Sequence, residues 1–394
     1  MAEILSIEQS HGNTDWHTLM GDRIYQYTVG ALFLISPCAI FFIRPDFQYS
    51  FFTLIQSLFI TLYSLSLYLI ISFIRVNKEI ERKIDVEPAL YLLILPLLII
   101  VILTLAFVDP ESVRISRYYL REQRFAILLL NLNIIVSAMS ILYYFYRPNF
   151  ASLFLLCVAL FLSMYISFLE GRRAIVVILI GLATVLALRR YRNLASRAVL
   201  LTASSVVIVL LMLMVTDVRT GQSFGSTFVL FQSVLTRVFN PGWMMLEVVN
   251  SDASAFNPDV LRYLLDRFLY VAGFSQNYVG VGNDFGVHYR FISATNNVVG
   301  INPGVILELY LAYGALSPIP VALLLVAGRF LVNAFAEFSQ FLPVIVAILL
   351  CHGFQMEVGY TFGLMLRLLV VLLALKFLVA TLPRGLGRRL ARPL

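Results

Sequence analysis

Residues 88–108 read PALYLLILPLLIIVILTLAFV, an apolar run without a single charge. At about 1.5 Å of rise per residue a helix of that length spans the roughly 30 Å hydrocarbon layer of a bilayer. Similar runs occur at Tyr25 to Ile43, Phe51 to Ile74, Phe125 to Tyr146, Phe150 to Phe168, Ala174 to Leu188, Ala198 to Val215, Pro303 to Val326, Phe338 to Phe354 and Tyr360 to Leu382, making ten in all. Of 394 residues 60% are apolar and only 13% charged, and the mean hydropathy is +0.88. No water-soluble fold of this size hides that much apolar surface. The composition excludes a disordered chain, a secreted disulfide scaffold and an ordinary soluble enzyme. Long apolar blocks exclude a transmembrane barrel, whose strands alternate polar and apolar residues. The expected fold is an all-α polytopic integral membrane protein, a single membrane domain over residues 1–394.

Basic residues orient it. Residues 1–22 are polar, carry Glu3, Glu8, Asp15 and Asp22, and lack the basic start of a cleavable signal, so the first span is expected to stay as an anchor. Short connections on one side hold Arg75, Lys78, Arg82 and Lys83, then Arg147, then Arg189, Arg190, Arg192 and Arg197, then Arg329. The tail, residues 383–394, adds Arg384, Arg388, Arg389 and Arg392. The positive-inside rule places this set and both termini in the cytoplasm. The long segment 217–302 then falls outside, since long translocated loops escape that rule.

That loop carries its own helical signals. Asn257, Pro258 and Asp259 read as an N-cap, a first-turn proline and a first-turn acid. The helix they open, to about Val271, places apolar residues beside Arg262 and Asp266, four apart, as in a helix lying in a membrane surface. From Gly273 to Gly300 the chain turns rich in Gly and Asn with scattered aromatics, Tyr289 among them, which suits an irregular loop holding a polar ligand such as a sugar.

Charges inside the apolar runs are costly and mark candidate sites. The run from Ala174 is short, about 22 Å of helix, and begins at Arg172 and Arg173, which are expected to be drawn below the headgroup plane. Arg367 lies within the last run, with Glu308 and Glu357 as structural partners on a plainer reading. His352 more simply bonds a neighbouring carbonyl. Arg219, Arg237, Arg262, Arg267 and Arg290 add positive charge to the outer loop, beside Asp284 and His288. Of the 29 basic residues only Lys78, Lys83 and Lys376 are lysine, a bias suited to phosphorylated ligands because guanidinium groups bind phosphate in a fork and stay charged. Cys38, Cys157 and Cys351 lie in apolar runs without zinc or redox spacing, so neither a disulfide nor a metal is expected. An outer cavity lined with arginine and supplied with a base fits cleavage of a polyprenyl diphosphate sugar. The arginines would stabilise the departing diphosphate, and His288 is the favoured base over Glu308, because histidine is the side chain suited to proton transfer at neutral pH.

These residues resemble the O-antigen or oligosaccharide repeat-unit polymerases of the Wzy type, relatives of the O-antigen ligases. The likeness rests on ten spans with one large loop before the last three, on Gly171-Arg172-Arg173, on Asn302-Pro303-Gly304 followed by Glu308, Tyr310 and Gly314, and on Arg262 and Gly273 in the loop. The resemblance implies a glycosyltransferase with a fold like the large membrane class termed GT-C, working without metal or cofactor. It would transfer a growing glycan from undecaprenyl diphosphate to the next lipid-linked repeat on the periplasmic face of the bacterial inner membrane, in lipopolysaccharide or related surface-polysaccharide synthesis. Arg172, Arg173, Arg290 and Arg367 would hold the diphosphate, with His288 or Glu308 as base and weaker contributions from Arg219, Arg262, Asp284 and Tyr289. Its partners would be the lipid-linked oligosaccharide, membrane lipid and a chain-length regulator protein, with no nucleic acid. Two alternatives remain: an O-antigen ligase using the same donor, and a transporter that flips the lipid-linked oligosaccharide.

Overall fold

The computed structural model describes residues 15–43, 48–72, 87–107, 148–170, 239–251, 256–271, 281–289, 302–338 and 342–381, with isolated positions between 133 and 144 and Val199. Among these the chain is helical and contains no strand. The elements are α1 (Asp15–Gly30), a π-helical turn (Ala31–Ile35), α2 (Ser36–Ile43), α3 (Phe51–Ser72), α4 (Glu87–Phe107) and α5 (Phe150–Glu170). They continue as α6 (Asn240–Asn250), α7 (Val260–Val271), α8 (Val281–His288), α9 (Val305–Tyr313), a 3₁₀ turn (Gly314–Leu316), α10 (Pro318–Phe335), α11 (Leu342–Phe354) and α12 (Val358–Thr381).

Among the described residues four stretches are long and apolar enough to cross a membrane: Tyr25–Ile43, Phe51–Ser72, Pro318–Phe335 and Val358–Thr381. Shorter apolar helices cover Leu92–Phe107, Phe150–Ser163, Val305–Leu316 and Leu342–Phe354. This is a helical membrane protein. The expected runs from Ala174 and Ala198 and most of the run from Phe125 lie outside the described residues.

In the centre α10 packs on α3 and α11, α11 on α1, and α12 on α10, α11 and α4. The buried face of α3 is a ladder of small hydroxylated residues, Thr53, Ser57, Thr61 and Ser64. Such side chains let helix backbones approach closely. They carry little polar cost, because Ser57 and Thr61 each donate to the carbonyl one turn back, at 2.8 Å.

Two interruptions depart from straight spans. Pro37 has no N–H to give to the carbonyl of Phe33, and the π turn over Ala31–Ile35 absorbs the mismatch just before it. Gly242 of α6 fits against this kink so closely that a Cβ there would lie 2.2 Å from the carbonyl carbon of Ser36. The second interruption corrects the single span expected from Pro303 to Val326. Gly314 takes φ +51°, which a side chain disfavours, and ends α9. Pro318 then restarts the chain as α10, which runs on to Phe335. The break is tied to the body of α3: Tyr63 Oη donates to the Ala315 carbonyl at 2.6 Å, and the Ser64 and Ser317 hydroxyls meet at 3.1 Å.

At one end of the bundle Arg329 of α10 makes a forked ion pair with Asp22 of α1, at 2.6 and 2.7 Å. Gln26 donates to the last carbonyl of α3 at 3.4 Å, and Lys376 of α12 pairs with Glu337 at 3.3 Å. This basal end gathers the start of α1 and the ends of α3, α10 and α12. The start of α12, α6 and α7 lie toward the opposite, loop-bearing end, and α8 is tied to α7 there by the Tyr263–Asp284 bond.

Candidate functional site

The site is built where α9 and α12 begin. Asn240 of α6 donates to the Asn302 carbonyl at 2.6 Å, and the Gly304 N–H donates to the Met356 carbonyl at 2.8 Å. Gly304 holds φ +80°, and a Cβ there would meet Pro241 at 3.1 Å, so the tight entry to α9 needs glycine. This entry sets Glu308 in the first turn of α9, wholly buried. Its Oε2 accepts the Val358 N–H at 2.8 Å, capping α12 from a neighbouring helix, where a carboxylate also meets the positive end of the helix dipole. Its Oε1 is buried and makes no hydrogen bond among the described residues. Leaving a buried acceptor unmade costs about 1–3 kcal/mol, more when it is charged.

Glu357 and Tyr263 stand near it, and His352 and Arg267 meet Tyr360 close by on α12. Glu357, buried, stands close enough for the two carboxylates to repel. His352, also buried at the end of α11, sets its ring 6.2 Å from Tyr360, edge to face. The roof is α7, which rests on α12 and α9. Its inner face carries Tyr263 and Arg267, one turn apart, and the Arg267 guanidinium lies 5.5 Å from the Tyr360 ring centroid. Tyr263 donates to Asp284 Oδ2 of α8 at 2.5 Å. Burial, then this hydrogen bond and the negative charges of Asp284 and Glu308, push the Tyr263 hydroxyl above its usual range.

Matched against known families, curated proteins and solved structures, the chain finds no counterpart in any of the three.

The structure treats the expected residues unequally. Glu308 is central. Arg367 lies seven residues beyond Tyr360 on α12, so two turns deeper and on the same side of the helix, half-buried. Asp284 and His288 are one turn apart on α8, a helix where the sequence suggested an irregular loop. The His288 ring is held among aromatic rings, 5.3 Å from Phe256 and 4.9 Å from Tyr289. The Tyr289 hydroxyl accepts the Phe256 N–H at 3.3 Å, and burial raises its pKa against that bond. Arg262 points away from the cluster: its side chain is 74% exposed and pairs loosely with Asp266 at 3.9 Å. Arg172, Arg173, Arg219 and Arg290 lie outside the described residues.

A smaller correction concerns the start of α7. Asp259, not Asn257, is its N-cap, since its carboxylate accepts the Arg262 N–H at 3.1 Å and its carbonyl accepts the first intrahelical bond, from Tyr263. Pro258 precedes the cap instead of opening the helix. Tyr263 and Tyr360 were missed as site residues. The available signal was the four-residue spacing of Tyr263 and Arg267, which puts both on one face.

Proposed function

We propose that this chain is a membrane glycosyltransferase of the polysaccharide-polymerase kind, working from the loop-bearing end of a bundle of about ten spans. That end would face the periplasm of a bacterial inner membrane, with both termini cytoplasmic and the fold of GT-C character. The observation that carries the reading is Glu308: a wholly buried carboxylate, fixed by the start of α12 and close to Glu357 and Tyr263, whose Oε1 makes no hydrogen bond among the described residues. A folded membrane protein has little reason to keep such a group unless a ligand completes it.

In this reading Oε1 takes the proton of the acceptor hydroxyl as that oxygen attacks the anomeric carbon of the donor. The bond from that carbon to the diphosphate oxygen breaks, and undecaprenyl diphosphate leaves with the electron pair. Arg367 and the arginines expected at 172, 173 and 290 would hold the growing negative charge. The fixed geometry around Glu308 supports it as the base in preference to His288, which would pack the loop.

The transporter reading gains one observation of its own, because α9 and α10 form a helix interrupted inside the bundle, a feature transporters use at their sites. One experiment separates the two. Purified protein in lipid vesicles that contain lipid A core is given an undecaprenyl-diphosphate-linked repeat unit, and the glycans are resolved by size. A ladder of lengthened products supports the polymerase. Unlengthened substrate that has changed leaflet supports the transporter, and transfer of an intact chain to a lipid A core acceptor supports the ligase.

A further inference from the structure

Helix α7 presents three faces. At about 100° per residue, Val260, Tyr263 and Arg267 fall in one sector of the helix circumference, and all three are buried against the bundle. Arg262 and Asp266 fall in a second, charged sector and pair with each other. The third sector holds Leu261, Leu265 and Phe268, which are 71%, 57% and 47% exposed. Each sector covers roughly a third of the helix. A helix on the rim of a soluble domain needs two faces, one for the core and one for water. The third face of α7 is apolar and continuous in i, i+4, i+7 spacing, and none of the described helices covers it.

We propose that α7 lies in the lipid leaflet at the loop-bearing end, with Leu261, Leu265 and Phe268 among acyl chains, and forms the lateral wall between that leaflet and the Glu308 cluster. Three observations favour lipid over another occupant. The helix rests on α12, itself a membrane span, whose Leu369, Val370, Leu373 and Phe377 are exposed further along. It crosses α12 near Tyr360, close to the start of that span, which is the depth of a membrane interface. Its charged sector sits to one side of the apolar stripe, as an interfacial helix requires, with the long Arg262 side chain able to reach headgroup phosphate. A helix so placed sinks its apolar face about 5–10 Å into the boundary between headgroups and acyl chains.

The arrangement leaves Glu308 one helix away from hydrocarbon on this side, and one helix carries both functions: its Tyr263 and Arg267 face the cluster while its leucines face lipid. A substrate with a long hydrocarbon tail would meet the protein at this wall. The immersion of α7 stands whether or not the chain transfers sugars.

The test uses the full-length protein in phosphatidylcholine–phosphatidylglycerol vesicles. Cys38 and Cys157 are replaced by alanine, and buried Cys351 is retained. Single cysteines Leu261→Cys, Leu265→Cys, Phe268→Cys and, as a water-facing control, Asp259→Cys are labelled with an environment-sensitive fluorophore. Each is quenched in turn by nitroxide on the lipid acyl chain and by aqueous iodide. The expected result is that acyl-chain nitroxide quenches the three stripe positions several-fold more than it quenches Asp259→Cys, and that iodide shows the reverse order. Because all three stripe side chains are exposed, the substitutions remove no core packing, and agreement among them guards against one misfolded variant. Iodide quenching at the stripe equal to that at Asp259→Cys would overturn the proposal by placing the face in water. Protection of the stripe from both quenchers would overturn it too, by placing the face against protein.

Discussion

Placing a guanidinium inside a span is costly, and the role proposed for Arg367 is to hold the diphosphate. The expected outcome for Arg367→Ala is loss of chain extension in the vesicle assay with normal accumulation in the membrane. Arg367→Lys should recover only part, because an ammonium cannot make the forked contact. Full activity in both variants would make Arg367 a structural or lipid-facing residue. Glu308, Glu357 and Arg367 were legible as candidates in the sequence because a charge among apolar residues is conspicuous by its cost. Arg262 and Arg267 were not separable that way. Both sit on one amphipathic helix five residues apart, and only the packing against α12 reveals that Arg267 is buried beside Tyr360 while Arg262 is in the open.

Among elements, the contact of α6 with the kink at Pro37 depends on the absence of a side chain at Gly242. Gly242→Ala forces the helices apart at a backbone contact that cannot rotate away. It is expected to destabilise the protein by about 1–3 kcal/mol, the usual range for overpacking, read as a lower melting temperature in detergent. An unchanged melting temperature would mean that α6 is not seated on α2. The spans Phe51–Ser72 and Val358–Thr381 were legible because hydropathy sums over a window. The break at Gly314 was not, since one glycine at positive φ leaves the apolar content of its window unchanged. The Ser317-Pro318-Ile319-Pro320 sequence was the readable clue, because prolines favour a helix start over a helix interior. Helix α8 was hidden by its glycines and asparagine, whose low helix propensity is overridden by burial of Val281 and Phe285.

For the whole molecule, the forked Asp22–Arg329 pair joins the first span to the eighth expected run and closes the basal end. Removing one partner of a buried pair leaves a lone charge and costs about 3–5 kcal/mol. Asp22→Ala is therefore expected to lower the melting temperature clearly, and charge reversal at both positions to recover part of the loss. Recovery by neither variant would mean that the pair does not hold the bundle. Orientation is a separate test: a cysteine at Ser251 or Asn283 should react with an impermeant thiol reagent in intact cells, and one at Asn193 should not. The opposite pattern would put the loop-bearing end in the cytoplasm.

The central claim is that the buried carboxylate of α9 performs the chemistry. Glutamine at 308 keeps the side-chain size and an oxygen to accept the Val358 N–H, but it cannot take a proton from the acceptor. The decisive measurement is the initial rate of repeat-unit transfer by Glu308→Gln in vesicles, beside wild type and His288→Ala, with folding checked by melting temperature. The expected result is a folded Glu308→Gln protein slowed by about a hundredfold or more, the scale of general-base loss, and a His288→Ala protein within a few-fold of wild type. A folded Glu308→Gln protein that transfers at nearly the wild-type rate would contradict the account.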